Sequence, residues 1–258
     1  MPASQERFCS PTAIARVRDS LRSLKGGRRI CFLTLSGSFN PVHRQHLRIL
    51  ALARKDLTDL GWTVVGGFLA PSTDTYVRSK LGKDALPVGT RIRLCELAVN
   101  ENLDWASVCQ KGEAYSVRAC SGVKAEIESG CRDILNDREV TGIEVMGSDT
   151  AARVFRRLLA DEHREFGYRE VVYCLLRRDQ EGAADSLAVE RTFRPAAERL
   201  GIELVLSEAT PERAAPMLIS STAIRKMLAD RDWETLRGTG WLPDSVFSAL
   251  REWRGEPE

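Results

Sequence analysis

The chain has 258 residues, 43% of them hydrophobic, with 38 lysines and arginines against 36 aspartates and glutamates and a formal net charge of +2. That length and apolar content suffice for one large α/β domain or two small ones and exclude a chain dominated by disorder. The near balance of charge gives no reason to expect nucleic acid or an anionic membrane as partner, so any anion binding must be local.

The first segment, Met1 to Arg29, is rich in Ser and Arg and has Glu6 and Asp19 as its only acids. Those acids interrupt the basic face that an organellar transit peptide requires, so a surface helix over Ala13–Leu24 is expected instead. Short β-branched and aliphatic runs then alternate with segments of helical period. Strands are expected at Arg29–Ser36, Thr63–Ala70, Trp105–Gln110, Thr141–Gly147, Glu170–Arg177 and Ile202–Ser207. Between them lie helical stripes: Leu47, Leu50, Ala53, Leu57 and Leu60; Val88, Ile92, Cys95 and Val99; Val117, Cys120, Lys124 and Ile127; Ala151, Val154, Phe155 and Leu158. Alternation of this kind implies βαβ units and a parallel sheet covered on both faces, a Rossmann-like, doubly wound α/β fold of about six strands.

Segment Ser72–Val88 combines Ser, Thr, Gly, Pro and basic residues and is expected to be the most flexible part. After Ser207 the strand pattern stops. Ser220–Leu228, Asp232–Leu236 and Asp244–Trp253 are expected to form a small C-terminal helical cap, packed through Leu236, Trp241, Leu242, Val246, Phe247 and Leu250.

The seven cysteines, Cys9, Cys31, Cys95, Cys109, Cys120, Cys131 and Cys174, are odd in number and form no Cys-x-x-Cys pair, which argues for reduced thiols in an intracellular protein. No apolar run approaches the ~20 residues of a membrane span.

The strongest local feature is Ser36-Gly37-Ser38-Phe39-Asn40-Pro41-Val42-His43-Arg44-Gln45-His46, where the first strand hands over to its helix. In an open parallel sheet, ligands bind beyond the carboxyl ends of the strands, and the following helix presents unpaired N–H groups to anions. Gly37 lets the backbone approach a ligand, and Pro41 suits the helix entry. His43 and His46, three apart, are expected in the first turn, able to donate to phosphate oxygens and, when protonated, to stabilise charge on a leaving group. A plainer alternative is a pair of surface histidines. A zinc pair is a third, but no third ligand stands nearby in sequence.

A second feature, Ile219-Ser220-Ser221-Thr222-Ala223-Ile224-Arg225, again suits a helix start, with hydroxyls for capping and a cationic fork one turn in. Taken together, Gly-Ser-Phe-Asn-Pro-x-x-x-x-His and Ile-Ser-Ser-Thr-x-x-Arg resemble the two signatures of the nicotinamide/nicotinate mononucleotide adenylyltransferases, within the nucleotidyltransferase superfamily. The resemblance runs from about Arg29 to Trp253.

It implies an N-terminal extension at 1–28, a Rossmann-like nucleotidyltransferase domain at 29–216, and a C-terminal helical subdomain at 217–258 that completes the ATP site. It also implies transfer of the adenylyl group of ATP to nicotinamide or nicotinate mononucleotide, with Mg²⁺ bound mainly through the ATP phosphates and no metal site built by the protein.

His43, His46 and Arg225 are the catalytic residues so implied. ATP would meet Gly37, Ser38, Phe39, His46, Gly147, Asp149, Ser221, Thr222, Ala223, Ile224 and Arg225. The mononucleotide would meet Ser38, Phe39, Asn40, Tyr76, Arg78, Lys80, Tyr115 and Arg177. Of these, Tyr76, Arg78 and Lys80 lie in a segment that resembles the family's loop after the second strand, and Gly147 and Asp149 match its Gly-x-Asp. The chain departs from the family after the third strand, where Cys109-Gln110-Lys111-Gly112-Glu113-Ala114-Tyr115 lacks the tryptophan that relatives stack on the pyridine ring. Either Tyr115 stacks on the ring instead, or backbone contacts alone hold it.

Neither nucleic acid nor membrane is expected as partner. Oligomeric state and the choice between the two mononucleotides stay open, as does the compartment, nucleus or cytoplasm before an organelle. Transfer to another phosphate acceptor and non-catalytic nucleotide binding remain alternatives. A dehydrogenase is disfavoured by the lack of Gly-x-Gly-x-x-Gly, and a P-loop kinase by the lack of Gly-x-x-x-x-Gly-Lys-Ser/Thr.

Overall fold

The computed structural model describes residues 7–24, 29–160, 171–177, 183–209, 219 and 221–255. Six parallel strands form one sheet: β1 (Arg29–Gly37), β2 (Trp62–Pro71), β3 (Ala106–Val108), β4 (Val140–Gly147), β5 (Val171–Arg177) and β6 (Glu203–Ala209). Their order is β3-β2-β1-β4-β5-β6, with the strand order reversing between β1 and β4. A doubly wound sheet of this order opens its ligand crevice at the carboxyl ends of those two strands. Strand β1 reads as a nearly unbroken apolar run because both of its faces are covered.

Odd-numbered residues of β1 and β4, such as Leu33, Leu35, Ile143 and Val145, share one core with α2 (Arg44–Asp59) and α4 (Val88–Asn102). The C-terminal helices α10 (Ser221–Asp230), α11 (Trp233–Thr239) and α12 (Asp244–Trp253) join that same core through Ile224, Leu228, Leu236, Leu242, Val246, Phe247 and Leu250. Even-numbered residues face the opposite layer. There Phe32 and Val140 pack with α1 (Pro11–Arg22) and α5 (Ser116–Gly130), while Met146 and Val172 pack with α7 (Ser148–Leu159) and the segment through α8 (Ala183–Ala188) and α9 (Arg194–Arg199).

Several expected boundaries shift. The third strand is shorter than Trp105–Gln110, as an edge strand paired only to β2. On α5 the buried stripe runs Val117, Cys120, Val123 and Ile127, with Val123 taking the place expected of Lys124. The side chain of Leu158, from the expected stripe on α7, lies outside the described residues, as do Glu170 and Ser220.

The largest correction concerns Ser72–Val88, which is ordered as α3 (Asp74–Leu81) and a 3₁₀ turn at Gly82–Asp84. Thr73 Oγ1 accepts from the Tyr76 N–H, and Asp74 supplies an acid to the first turn, so a segment of loop-like composition carries its own helix start. The helical stretch from Ala183 to Arg199 was not legible. Its Pro195 and the π-turn at Val189–Phe193 break the 3.6-residue period. A four-residue α6 (Arg132–Leu135) completes the described helices.

All seven cysteines are buried and none is in a disulfide, and no helix among the described residues is long and apolar enough to cross a membrane.

Candidate active site

Across the carboxyl ends of β1 and β4 lies a cleft of about 420 Å³. It extends from the α2 and α10 side of the sheet to the α5 side. Gly37, Ser38, Phe39, Asn40, His43, His46, Tyr76, Lys80, Tyr115, Gly147, Asp149, Ser221, Thr222 and Arg225 all line it, so residues from both sequence signatures meet in one place.

The helix start differs from the expected one. Helix α2 begins at Arg44, His43 is its N-cap in extended conformation, and Pro41 stands before the helix, following a cis peptide bond. His43 is buried rather than displayed on a helical face. Its Nε2 lies 2.9 Å from Ser221 Oγ. The His43 N–H donates to His46 Nδ1 at 3.2 Å, as in a capping box, where the side chain at N3 reaches back to the cap. The two rings stack with centroids 3.7 Å apart.

This geometry fixes chemistry. Burial pushes the pKa of His46 down to about 3, and burial with the neighbouring His46 holds His43 well below 6.5. Both imidazoles are therefore neutral at pH 7. Because His46 Nδ1 accepts the amide proton, its own proton sits on Nε2, which makes that nitrogen a donor. Of the two roles open to an imidazole here, hydrogen-bond donation by a neutral ring is the one this geometry favours.

Phe39 is buried at positive φ, with its ring edge-on to His46 at 4.9 Å. A Cβ on residue 37 would come within 3.2 Å of that ring, so Gly37 is required for the close approach. Asn40 is equally committed. Its side chain donates to the Asp84 carbonyl and accepts from Leu86 N–H, both at 2.7 Å, and its carbonyl accepts from Arg225 Nη1 at 3.2 Å.

Arg225 also donates to Thr222 Oγ1 at 2.9 Å. Burial lowers its pKa, opposed by Asp84. At the start of α7, Gly147 is the N-cap and Asp149 lies in the first turn.

Other expected residues lie off the cleft. Arg78 is mostly exposed, 3.9 Å from Asp74. Ile224 is in the core, and Ala223 does not line the opening. The side chain of Arg177 lies outside the described residues.

Two residues escaped the sequence-level account. Arg91, fully buried on α4, donates to the Leu86 carbonyl, the Ser38 carbonyl and Asp74 Oδ1 at 2.9, 3.0 and 3.0 Å. Glu144, in the interior of β4, lines the cleft and accepts from Ser116 Oγ at 2.8 Å. Each broke an apolar pattern, Arg91 by standing three residues from Val88 and four from Cys95, Glu144 by placing a charge inside a strand. Buried Thr34 Oγ1, Ser36 Oγ and His43 Nδ1, all on cleft residues, have no protein partner among the described residues. Such atoms equip the cleft for a polar ligand.

Among the described residues no group of three or more His, Cys, Asp or Glu is placed to hold a metal ion.

Residues 34–227 match the cytidylyltransferase-like family model. A nicotinamide/nicotinic acid mononucleotide adenylyltransferase of Oryza sativa subsp. japonica is 35% identical over 105 residues, 39% of this chain and 41% of that protein. The corresponding enzyme 2 of Saccharomyces cerevisiae is 36% identical over 73 residues, 28% of this chain and 18% of that protein. The matched segments thus span less than half the length of these curated relatives. Among solved structures, nicotinic acid mononucleotide adenylyltransferase of Plasmodium falciparum complexed with NaAD superposes with a TM-score of 0.50 at 14% identity, covering 88% of this chain and 96% of that one. At that identity the likeness concerns the fold.

Proposed function

The chain belongs to the cytidylyltransferase-like family, and we propose that it transfers the adenylyl group of ATP to nicotinamide or nicotinate mononucleotide, forming NAD or its acid form and releasing pyrophosphate. The observation that carries this reading is the 2.9 Å contact between His43 and Ser221, which joins the start of α2 to the start of α10 over the sheet's crevice. Two helix starts facing one cleft offer imidazole N–H, a guanidinium and the positive ends of their dipoles to a single polyphosphate. The names of the curated relatives support the choice of substrates.

In this scheme the 5′-phosphate of the mononucleotide attacks the α-phosphorus of ATP in line. One P–O bond forms and the bond to the bridging oxygen breaks, whose electrons leave with pyrophosphate. The attacking phosphate is already nucleophilic, so the chain needs no covalent intermediate. It supplies positioning and donors for charge that moves onto the leaving group. His46 Nε2–H and Arg225 are those donors, and His43 holds Ser221 in register. Gly147 and Asp149 receive the adenosine ribose, while Tyr76, Lys80 and Tyr115 face the mononucleotide. Mg²⁺ arrives on the ATP phosphates and neutralises part of their charge; no step is assigned to protein ligands of the metal. An intracellular setting, nuclear or cytoplasmic, belongs to the same proposal and is supported by seven buried cysteines, none in a disulfide.

The test is an incubation with ATP, Mg²⁺ and each mononucleotide, with dinucleotide and pyrophosphate measured together. Equimolar appearance of both is the expected result. ATP binding without either product would instead favour a non-catalytic nucleotide-binding protein of the same fold.

A further inference from the structure

The cleft has two chemically different ends. At the α2 and α10 side stand His43, His46 and Arg225 at two helix starts, the equipment for phosphates. At the α5 side buried Glu144 and Thr34 form the floor, and Ser116 and the exposed Tyr115 also line the cleft. Thr34 and Glu144 are partners in the parallel register of β1 and β4, each three residues before the glycine that ends its strand, hence about 10 Å below the loops. Glu144 is 3% exposed and Thr34 1%. The Glu144 carboxylate accepts from Ser116 Oγ, and Thr34 Oγ1 is buried with no partner among the described residues.

A floor of this kind suits no phosphate. A carboxylate accepts several hydrogen bonds and donates none, and the exposed ring of Tyr115, with the Arg118 guanidinium 5.3 Å from its centroid, lines the same cleft. The matching group is a flat, cationic ring that carries an N–H donor. Among the proposed substrates the pyridinium of the mononucleotide is such a ring, whereas adenine is neutral. Its substituent then decides the fit. A carboxamide presents N–H groups to Glu144, while a pyridine carboxylate presents only lone pairs, so acceptor would face acceptor.

Resting on the adenylyl-transfer reading, we infer that Glu144, held by Ser116, is a specificity-determining residue that selects the amidated mononucleotide over the acidic one. Arg153 and Arg157 also line the cleft, but both are exposed, and solvent screens rim charges far more than a charge on the floor.

The test compares kcat/KM for the amide and acid mononucleotides in the wild type, Glu144→Gln and Ser116→Ala, with KM for ATP measured alongside. Glutamine can both donate and accept, so it removes the discrimination while keeping the shape. The wild type is expected to favour the amide by about tenfold or more, as for a site built around a buried hydrogen-bonding group. Glu144→Gln is expected to raise kcat/KM for the acid and to shrink the preference by about the same factor, with KM for ATP unmoved. Ser116→Ala moves the preference in the same direction by less. A gain on the acid cannot arise from misfolding. A wild type that prefers the acid, a preference unchanged in Glu144→Gln, or a shift in KM for ATP alone would each overturn the assignment. Turnover of neither mononucleotide would overturn the adenylyl-transfer reading itself, and the role of Glu144 with it.

Discussion

His43 Nε2 meets Ser221 Oγ at 2.9 Å across 178 positions of sequence. This contact ties the helix that opens the sheet domain to the helix that begins the C-terminal cap, and it places both starts at one crevice. Arg44, the next residue, reinforces the tie from behind: its N–H donates to the Trp241 carbonyl at 2.9 Å and its Nε to the Gly240 carbonyl at 3.0 Å. The cap is thereby registered to the histidines by backbone as well as side chain.

His46→Ala removes a donor whose proton is fixed on Nε2 by the His43 amide. Loss of one transition-state donor of this kind costs about 10²–10³ in kcat. Steady-state rates should show that loss with KM for ATP little changed. A variant as fast as the wild type would take His46 out of the mechanism.

Arg225→Lys keeps the charge but loses the fork that spans the Asn40 carbonyl and Thr222. A lysine cannot hold both partners and a phosphate in one plane, so KM for ATP should rise by about tenfold or more. Titration of ATP with the variant measures this directly.

Arg91 organises the cleft from beneath. Its three hydrogen bonds join the Ser38 carbonyl, the Leu86 carbonyl and Asp74, so the signature loop, the turn before α4 and helix α3 share one buried cation. Arg91→Ala strands those acceptors, two loop carbonyls and the partly exposed Asp74, and should destabilise the fold by about 1–3 kcal/mol. A urea unfolding series gives the figure, and a loss below about 1 kcal/mol would show the network to be dispensable.

How legible this was from sequence varies with the residue. The parallel, doubly wound sheet of six strands followed from alternating periods, and the crevice at the β1–α2 turn from the glycine and histidine positions there, since local spacing encodes local structure; the strand order did not. Helix α3 was missed because its start is secured by one Thr73 hydroxyl amid loop-like composition. Asn40 and Phe39 carried the motif yet spend their side chains on the protein itself, on Asp84, Leu86 and His46. Spacing gives no sign of that, because those partners come from tertiary packing. Arg91 and Glu144 did leave a trace, each a charge in an apolar stripe, but what they bind depends on segments distant in sequence.

Acid should loosen this fold through the stacked histidines. In the unfolded chain each imidazole takes up a proton near pH 6.5, whereas in the folded protein His46 stays neutral down to about 3 and His43 is also held well below 6.5. The unfolded state binds more protons in that window, so stability is full above about 6.5 and falls as pH drops, by up to about 1.4 kcal/mol per pH unit for each group. Urea midpoints between about pH 7.5 and pH 5 should decline less steeply in His46→Gln than in the wild type. Equal slopes would mean that the rings are not neutral.

The most direct test of the account as a whole follows the label from ATP. With α-phosphate-labelled ATP and a pyridine mononucleotide, the label should appear in the dinucleotide; with γ-labelled ATP it should appear in pyrophosphate, in equal amount. Label from the γ-position on the mononucleotide, or α-label released as free ADP or AMP with no dinucleotide formed, would contradict adenylyl transfer at the crevice between α2 and α10.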